Sequence, residues 1–476
     1  MEKQSQIKIA LPKGRLLAQT ANLLQRADWG LSDYAERARL YRLKSRGFPS
    51  LLAKVFNERD IPIQVAVGNY DLGICGQDWV EELLVGYPDS ALVRVKNLGY
   101  GEGSLQVFAS RSSGVTTEEE LRAKPEVIRI ASEYPNLAEV FALNLRLRRF
   151  SVFPLWGGAE VYPPESAELA LVAGKADEFY DYGLMPISNV LNYSAFLIAN
   201  ERSWVTKDLS QVVASICDES VASKQSSSLL GAAAVPERAE RYPFKEVGTG
   251  VVRLALPDGH QQLPTAELLS KAGIQIDDYP SSTGNRRPTA NLPEVMIKVI
   301  RPQDMPLQVA NGNFDLAITG RDWLREHLYQ FPSSPATELL DLKFGWVRLV
   351  AVVSKDLPVV DVNGLRQFNG EHPVPLRVAS EYVNIADKYA RDNHLGMYRV
   401  IPTWGASEAF LPEDADLLIE NTQTGGTIAR HNLKIIDTLF ESTACLIGNA
   451  NSLNSSVNRQ RIASIINSLR QAVEEV

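Results

Sequence analysis

Apolar and polar positions follow two rhythms along the chain. Runs rich in β-branched residues predict strands, and stretches with helical spacing predict helices between them. In the first half the pattern predicts strands over residues 7–11, 51–56, 71–74, 127–131 and 150–156, and helices over 16–27, 63–67, 77–84 and 137–145. This alternation indicates an α/β fold with a parallel or mixed sheet and helices on both faces. Ligands of such sheets bind at the carboxyl ends of the strands.

The same order of patterns occurs twice. GNYDLGICGQDW at 68–79 returns as GNFDLAITGRDW at 312–323. Three further motifs return in the same order and with nearly the same spacing, and these pairs are 9–15 with 254–260, 131–138 with 379–386, and 154–160 with 402–408. Because a period above two hundred residues is far longer than a solenoid repeat, the chain is predicted to be a duplicated globular unit.

A stretch rich in Ser, Gly and Pro separates the two copies and is typical of a linker. The predicted domains are therefore a first copy at 1–220, a linker at 221–247 and a second copy at 248–476.

Composition narrows the class of protein. Hydrophobic residues make up 45% of the 476 residues and charged residues 22%, which is ordinary for a globular protein. The apolar runs are too short to cross a bilayer, and the polar N-terminus shows no secretory signal. A net charge of −8 disfavours a nucleic-acid binder. Three scattered cysteines predict no disulfide set and fit a reducing cytoplasm.

Two loops carry candidate chemistry. The turn PKGR at 12–15 follows a strand and opens a helix, where free N–H groups and the cations of Lys13 and Arg15 would suit an anion. The alternative is a solvated basic turn.

The second loop, ENTQTGGT at 420–427, follows the apolar run 417–419. Its glycines and threonines could wrap a phosphate, and an acid at the strand end could accept hydrogen bonds from ribose hydroxyls. The alternative is a helix N-cap with a tight turn. It is not a Walker loop, because the Gly-Lys-Ser/Thr ending is absent.

Other repeated residues favour structural roles. Asp71, Asp78, Asp315 and Asp322 lie beside glycines and are predicted to be helix caps rather than ligand contacts. The five histidines show no metal spacing, so no protein-held metal is predicted.

These motifs together resemble the ATP phosphoribosyltransferase family. Its first lobe is similar to LPKGRL at 11–16, RDIP at 59–62 and DLGICG at 71–76. Its signature around the phosphoribosyl-diphosphate loop is similar to Glu408, Pro412, Ala415, Asp416, Glu420 and TGGTI at 424–428. The resemblance covers nearly the whole chain, once in each copy.

The resemblance implies two α/β lobes around a cleft, the second lobe inserted into the first, as in type II periplasmic binding proteins. It implies that ATP N1 joins C1′ of phosphoribosyl diphosphate and releases pyrophosphate, the first step of histidine biosynthesis, with Mg²⁺ carried by the diphosphate. About two dozen residues follow Asn451, which leaves no room for the family's regulatory domain. Each copy therefore resembles the short form, whose partner is a regulatory subunit similar to histidyl-tRNA synthetase.

For this family the resemblance implies that phosphoribosyl diphosphate binds the loop residues Glu420, Asn421, Thr422, Gln423, Thr424, Gly425, Gly426 and Thr427. The copies depart from the pattern in complementary places. The second copy has Asp258 and His260 in place of Lys13 and Arg15, and the first copy has VAGKADEF at 172–179 in place of the loop.

Two hypotheses follow from this divergence. In the first, the chain is a built-in pseudo-dimer, able to assemble further. One composite site combines the second copy's loop with the catalytic cations Lys13, Arg15 and Arg39 or Arg42 of the first copy. In the second, the chain is an inactive regulatory partner that binds a nucleotide or phosphate. The intact loop favours the enzyme.

Overall fold

The computed structural model describes residues 6–31, 33–35, 41–221, 250–282, 284–454 and 458–474. They fall into two compact units. Unit 1 comprises the described residues within 1–154, 167–244 and 404–409, and unit 2 those within 155–166, 245–403 and 410–476. Apart from residue 221, the predicted linker lies outside the described residues, so the domain boundaries stay a prediction.

Unit 1 is a mixed α/β structure with eleven strands and seven helices in its described residues. The strands are β1 (Ile7–Lys13), β2 (Arg42–Lys44), β3 (Leu51–Asn57), β4 (Leu72–Gly76), β5 (Leu92–Asn97), β6 (Gly103–Ser110), β7 (Ile128–Ser132), β8 (Phe150–Pro154), β9 (Leu169–Ala173), β10 (Leu184–Tyr193) and β11 (Ala195–Asn200). The helices are α1 (Leu17–Arg26), α2 (Asp60–Ala66), α3 (Gln77–Gly86), α4 (Glu118–Ala123), α5 (Pro135–Asn144), α6 (Glu201–Thr206) and α7 (Ser210–Val221).

Two sheets divide unit 1 into two lobes. The first lobe has the strand order β2-β3-β1-β4-β11-β5, and the second lobe β10-β6-β9-β7-β8. The chain leaves the first sheet after β5, builds the whole second sheet, and returns through β11, which pairs antiparallel with both β4 and β5. This confirms that the second lobe is inserted into the first.

The strand predictions of the first half agree with the structure because those strands are apolar on both faces. In β1, for example, Ile9, Ala10 and Leu11 are completely buried between β3 and β4. Several boundaries differ by two or three residues, as in these two cases. Helix α2 begins at Asp60, three residues early, since Pro62 is tolerated in a first helical turn. Strand β8 ends at Pro154, before two glycines with positive φ at 157 and 158.

Unit 2 repeats this architecture with twelve strands and eight helices in its described residues. The strands are β12 (Val252–Pro257), β13 (Ile276–Asp277), β14 (Thr289–Ala290), β15 (Val295–Ile300), β16 (Leu316–Gly320), β17 (Ala336–Asp341), β18 (Val347–Ser354), β19 (Leu376–Ser380), β20 (Tyr398–Pro402), β21 (Leu417–Thr422), β22 (Leu433–Ser442) and β23 (Ala444–Asn449). The helices are α8 (Gln262–Lys271), α9 (Met305–Ala310), α10 (Arg321–Gln330), α11 (Val362–Glu371), α12 (Val383–Asp392), α13 (Gly426–Arg430), α14 (Ala450–Asn454) and α15 (Arg459–Glu474).

The sheet orders of unit 2 match those of unit 1. Its first lobe reads β15-β12-β16-β23-β17 and its second lobe β20-β19-β21-β18-β22, while β13 and β14 form a separate ribbon. The predicted fold class, two tandem copies of a two-lobed α/β unit, is therefore confirmed. No helix in the described part of the chain is long and apolar enough to cross a membrane. The side chains of Cys75, Cys217 and Cys445 are thiols and not halves of disulfides.

A glutamate of the first lobe joins the lobes in each unit, Glu82 buried and Glu326 half-buried. Glu82 of α3 accepts hydrogen bonds from the backbone N–H groups of Asn136 and Leu137, both at 2.9 Å, at the N-terminus of α5. Glu326 of α10 does the same for α12 at 2.8 Å. Each carboxylate satisfies amides that the first helical turn leaves without a partner. The α3–α5 and α10–α12 contacts thereby fix the second lobe against the first.

We expect Glu82 to make unit 1 pH-sensitive. Burial raises the pKa of its carboxyl from the ordinary 4.5 to about 7, against the backbone hydrogen bonds that lower it. A raised folded-state pKa stabilises the fold fully below pH 4.5, and this contribution is lost as the pH rises through 7. In urea unfolding at pH 5 and pH 8, Glu82→Gln should lose less stability over this interval than the unaltered chain. Equal losses in the two proteins would contradict the assignment.

Candidate active site

The first lobe of unit 1 places Arg15 in a cluster of buried polar groups. Its guanidinium donates to the Asp78 carboxylate at 2.6 Å and to Glu58 at 3.0 Å. The Tyr134 hydroxyl of the second lobe donates to Asp78 at 2.7 Å. The Tyr193 ring, also from the second lobe, lies 4.8 Å from the guanidinium. These five side chains occupy the space between the lobes of unit 1.

The predicted catalytic cations of the first copy have different environments. The charge of Arg15 is already balanced by two carboxylates. Lys13 ends β1 with an exposed side chain whose ammonium lies 3.4 Å from the Tyr41 hydroxyl. Arg42 begins the edge strand β2 and is exposed. Arg39 lies outside the described residues. The composite site combines residues of both units and stays a prediction.

The first copy's counterpart of the phosphate loop is filled by its own side chains. Strand pairing places Leu169 and Leu417 at equivalent positions, which aligns the start of the 172–179 segment with the start of 420–427, and the rest of that alignment stays a prediction. Phe179 is buried and packs on Phe108 with ring centroids 4.9 Å apart. A Cβ on Gly174 would approach Phe179 to 2.9 Å. The space around Gly174 is therefore occupied by Phe179 and Glu178.

Smaller residues open the equivalent cleft in unit 2. The strand registers place His260 at the position of Arg15, Pro302 at that of Glu58, and Ser442 at that of Tyr193. The result is a cavity of about 330 Å³ between the lobes, within the usual size range of small-molecule sites. Residues from both lobes line it, including Asp258, His260, Arg301, Gln303, Asp322, Trp323, Phe344, Glu381, Asn421 and Gln423.

The predicted phosphate loop lies at one end of this cavity. Strand β21 continues to Thr422, so Glu420 and Asn421 lie within the strand rather than after it. The Thr422 hydroxyl accepts a hydrogen bond from Gly425 N at 2.9 Å, and the Thr424 hydroxyl from Gly426 N at 3.4 Å. Gly425 has φ +75°, and nothing lies within 4 Å of the position of a Cβ there. The remaining loop residues, Gln423 and Thr427, complete a turn that is accessible from solvent.

A hydrogen-bond chain connects the base of the loop to the first lobe. Asn421 donates to the Tyr382 hydroxyl at 2.7 Å, and Tyr382 donates to Asp322 at 2.6 Å. Asp322 also accepts from the Ser442 hydroxyl at 3.1 Å. Trp323 stacks on Tyr382 with ring centroids 4.2 Å apart. Burial raises the pKa of the Asp322 carboxyl, and these two hydroxyl donors oppose the rise.

Asp258 neutralises cations beside the cavity. Its carboxylate lies 3.3 Å from Arg286 and 3.2 Å from Arg301. Arg286 also pairs with Glu160 at 3.2 Å. Because Asp258 stands where the first copy has Lys13, unit 2 lacks a cation at this turn. Asp258 also pairs with two other cations, Arg286 and Arg301.

The prediction that the repeated aspartates cap helices was wrong. Helices α3 and α10 have Gly76 and Gly320 as their N-caps, without side-chain capping bonds. Asp78 and Asp322 instead bind tyrosines of the second lobe. Asp71 accepts from Lys8 N and Ser203, and Asp315 pairs with Arg253. The N-cap position is taken by the glycine in both helices, so Asp78 and Asp322 lie two residues later, inside the first turn.

Sequence reasoning missed Arg301, which lines the cavity, and the filling role of Tyr193. Tyr193 ends β10 and Arg301 follows β15, and the registers of these strands relate the copies. Aligning the two copies residue by residue was therefore the signal that could have found them. Among the described residues, no group of three or more His, Cys, Asp or Glu is placed to hold a metal ion.

Comparison with known proteins agrees with this geometry. The family model of ATP phosphoribosyltransferase (HisG) matches residues 57–219 and again residues 301–471. The ATP phosphoribosyltransferase of Prosthecochloris aestuarii is 32% identical over 228 residues, which are 47% of this chain and 72% of that protein. That of Pelotomaculum thermopropionicum is 30% identical over 219 residues, 45% of this chain and 70% of that protein.

Among solved structures, a chain of the ATP phosphoribosyl transferase (HisG:HisZ) complex from Thermotoga maritima shares 21% identity with a TM-score of 0.39, covering 48% of this chain and 100% of that one. The two segments of the family match together span more than half of the chain, one in each copy. The chain therefore belongs to the ATP phosphoribosyltransferase family, and it carries the family's unit twice.

Proposed function

We propose that this chain is an ATP phosphoribosyltransferase whose substrate cleft is the one in unit 2. The bond that forms joins N1 of adenine to C1′ of the phosphoribosyl group, and the bond that breaks releases pyrophosphate. Family membership supports the reaction class. The reaction would begin histidine biosynthesis, as the resemblance implies.

One observation carries the choice of unit 2. At equivalent inter-lobe positions unit 1 has Arg15 packed against Glu58 and Tyr193, whereas unit 2 has a cavity of about 330 Å³. The phosphate loop is retained beside the open cavity, and its counterpart in unit 1 is filled by Phe179. Unit 1 therefore differs from unit 2 both at the inter-lobe positions and in the phosphate loop.

In this proposal the residues of unit 2 have different roles. The amides and hydroxyls of residues 422–427 surround phosphate oxygens of phosphoribosyl diphosphate. Glu420 accepts hydrogen bonds from the ribose hydroxyls. The cavity holds both substrates in one place, which replaces a bimolecular encounter with a local one. Mg²⁺ enters bound to the diphosphate, since Mg²⁺ commonly keeps substrate phosphates as ligands and needs few protein ones.

A second function is favoured by a different observation. Asp258 neutralises Arg286 and Arg301 at the cavity, which weakens a site for a highly charged substrate. This favours a chain that binds a nucleotide or phosphate without chemistry, as a regulatory partner of an active enzyme. A regulatory subunit similar to histidyl-tRNA synthetase stays a proposal for either case.

Product formation separates the two functions. The purified chain with ATP, phosphoribosyl diphosphate and Mg²⁺ should release pyrophosphate and form N1-phosphoribosyl-ATP, followed by ultraviolet absorbance. Binding of phosphoribosyl diphosphate in calorimetry without any product, also after a histidyl-tRNA-synthetase-like subunit is added, would instead establish the binding function.

We expect Gly425→Asp to abolish binding of phosphoribosyl diphosphate, because it places a carboxylate among the loop amides and recreates Asp177 of the first copy. Asp tolerates a left-handed φ better than most residues, so we expect a stability loss of only about 1 kcal/mol. Calorimetric titration and thermal unfolding measure the two effects. The matched control Asp177→Gly should leave binding unchanged, and full activity of Gly425→Asp would refute the loop assignment.

Arg15→Ala should act on stability rather than on turnover. It leaves the buried carboxylates of Asp78 and Glu58 without their cation. Breaking a fully buried pair costs about 3–5 kcal/mol, and we expect about 1–3 kcal/mol here because the Arg15 side chain is 36% exposed.

Urea unfolding and the product assay, both at low temperature, measure the two effects. The exposed Lys13→Ala is the matched control and should change stability little. A large loss of turnover in Arg15→Ala with unaltered unfolding would support the composite site instead.

A further inference from the structure

The phosphate loop of unit 2 needs a positive group that the turn after β12 does not supply. Asp258 and His260 stand where the first copy has Lys13 and Arg15, and Arg301 is paired with Asp258 at 3.2 Å. Amides and hydroxyls alone bind a phosphate less strongly than they do with a guanidinium, because hydrogen bonds between charged groups are about twice as strong as neutral ones.

Arg348 lies beside the loop. It is the second residue of β18, and its Cα partner on the neighbouring strand is Thr422, the residue whose hydroxyl shapes the loop. The next turn upstream, Phe344 and Gly345, and the first strand residue, Val347, line the cavity. Arg348 therefore lies beside the loop, on the strand face that it shares with Thr422, and next to the strand residues that line the cavity.

The guanidinium of Arg348 is not engaged by a carboxylate among the residues that the structure describes. Its Nε is buried and has no hydrogen-bond partner in the same part of the chain. The guanidinium lies 5.9 Å from the centroid of the Trp346 ring, and Trp346 is itself 43% exposed. A half-buried donor without an acceptor is costly unless a ligand supplies one.

The first copy lacks this pair. Gly101 and Gly345 occupy equivalent turns with the same φ of +66°, and the strand registers then place Glu102 at the position of Trp346 and Ser104 at that of Arg348. Ser104 donates to the Gly174 carbonyl within its own filled segment. The arginine and the tryptophan occur in the copy that has the loop, and serine and glutamate in the copy that has lost it.

We propose that Arg348 binds a phosphate group of the substrate held by the 422–427 loop, and that Trp346 positions its guanidinium. This rests on the proposed function of unit 2 and adds to it the cation that the loop otherwise lacks. Two N–H groups of a guanidinium fit two oxygens of one phosphate, while the indole face restrains the side chain through a cation–π contact.

Calorimetric titration of the full chain with phosphoribosyl diphosphate, and separately with inorganic pyrophosphate, both with Mg²⁺ present throughout, tests the proposal. Arg348→Gln should weaken the binding of each by about ten- to a hundredfold, the range of a charged hydrogen bond. Arg348→Lys should recover part of the affinity, since it restores charge without the fork. The matched control is Arg325→Gln, which removes another arginine of unit 2 stacked on an aromatic ring, Phe440 at 4.2 Å. It should leave both affinities unchanged.

The role of Trp346 is tested by a double-mutant cycle. Trp346→Leu should weaken binding severalfold in the unaltered chain and have no effect in the Arg348→Gln background, because it acts only through Arg348. Equal losses in both backgrounds would overturn the positioning role.

The outcomes distinguish this proposal from the function on which it rests. If the unaltered chain binds pyrophosphate without forming product, and Arg348→Gln weakens that binding, the transferase function fails and the phosphate site stands. If product forms and Arg348→Gln binds both probes normally, the function stands and the Arg348 proposal is overturned. If neither probe binds the unaltered chain, both are overturned.

Discussion

Both units depend on a buried hydrogen bond between an aspartate of the first lobe and a tyrosine of the second. It measures 2.7 Å between Tyr134 and Asp78 and 2.6 Å between Tyr382 and Asp322. In each unit a tryptophan next to the aspartate stacks on that tyrosine at 4.2 Å. A carboxylate removed from water needs partners. The surrounding residues of each cleft must therefore supply a cation or hydrogen-bond donors to this aspartate.

The two units meet the requirement differently. In unit 1 the guanidinium of Arg15 balances Asp78, and the cation, Glu58 and Tyr193 fill the space between the lobes. In unit 2 there is no arginine at that position, and Asp322 is held by two hydroxyl donors. Its pKa rises through burial. The replacements of Arg15, Glu58 and Tyr193 by His260, Pro302 and Ser442 thus accompany the change from a packed polar contact to a cavity.

The duplication, the α/β class and the loop could be predicted because each produces a local sequence pattern. These patterns are repeated motifs, β-branched runs and glycines in a turn. The loop residues 420–427 and Arg15 were singled out from these patterns as candidate chemical groups, yet their surroundings were not foreseeable. The partners of Arg15 are Glu58 and Asp78, distant in sequence. Equally, Arg348 is adjacent to Thr422 only through strand pairing. The pairing of strands in the folded chain brings these residues together, and no local sequence pattern encodes that pairing.

The charge balance of the unit 2 cleft constrains what it can bind. Asp258, Asp322 and Glu381 face the cavity together with Arg301 and His260. A naked diphosphate would meet repulsion there, whereas a diphosphate that brings Mg²⁺ presents less negative charge to those carboxylates. The raised pKa of Asp322 reduces the repulsion further, because a carboxyl that is more often neutral repels less. With Asp258 in place of Lys13 and His260 in place of Arg15, the cleft favours a ligand whose negative charge is partly neutralised over a free anion.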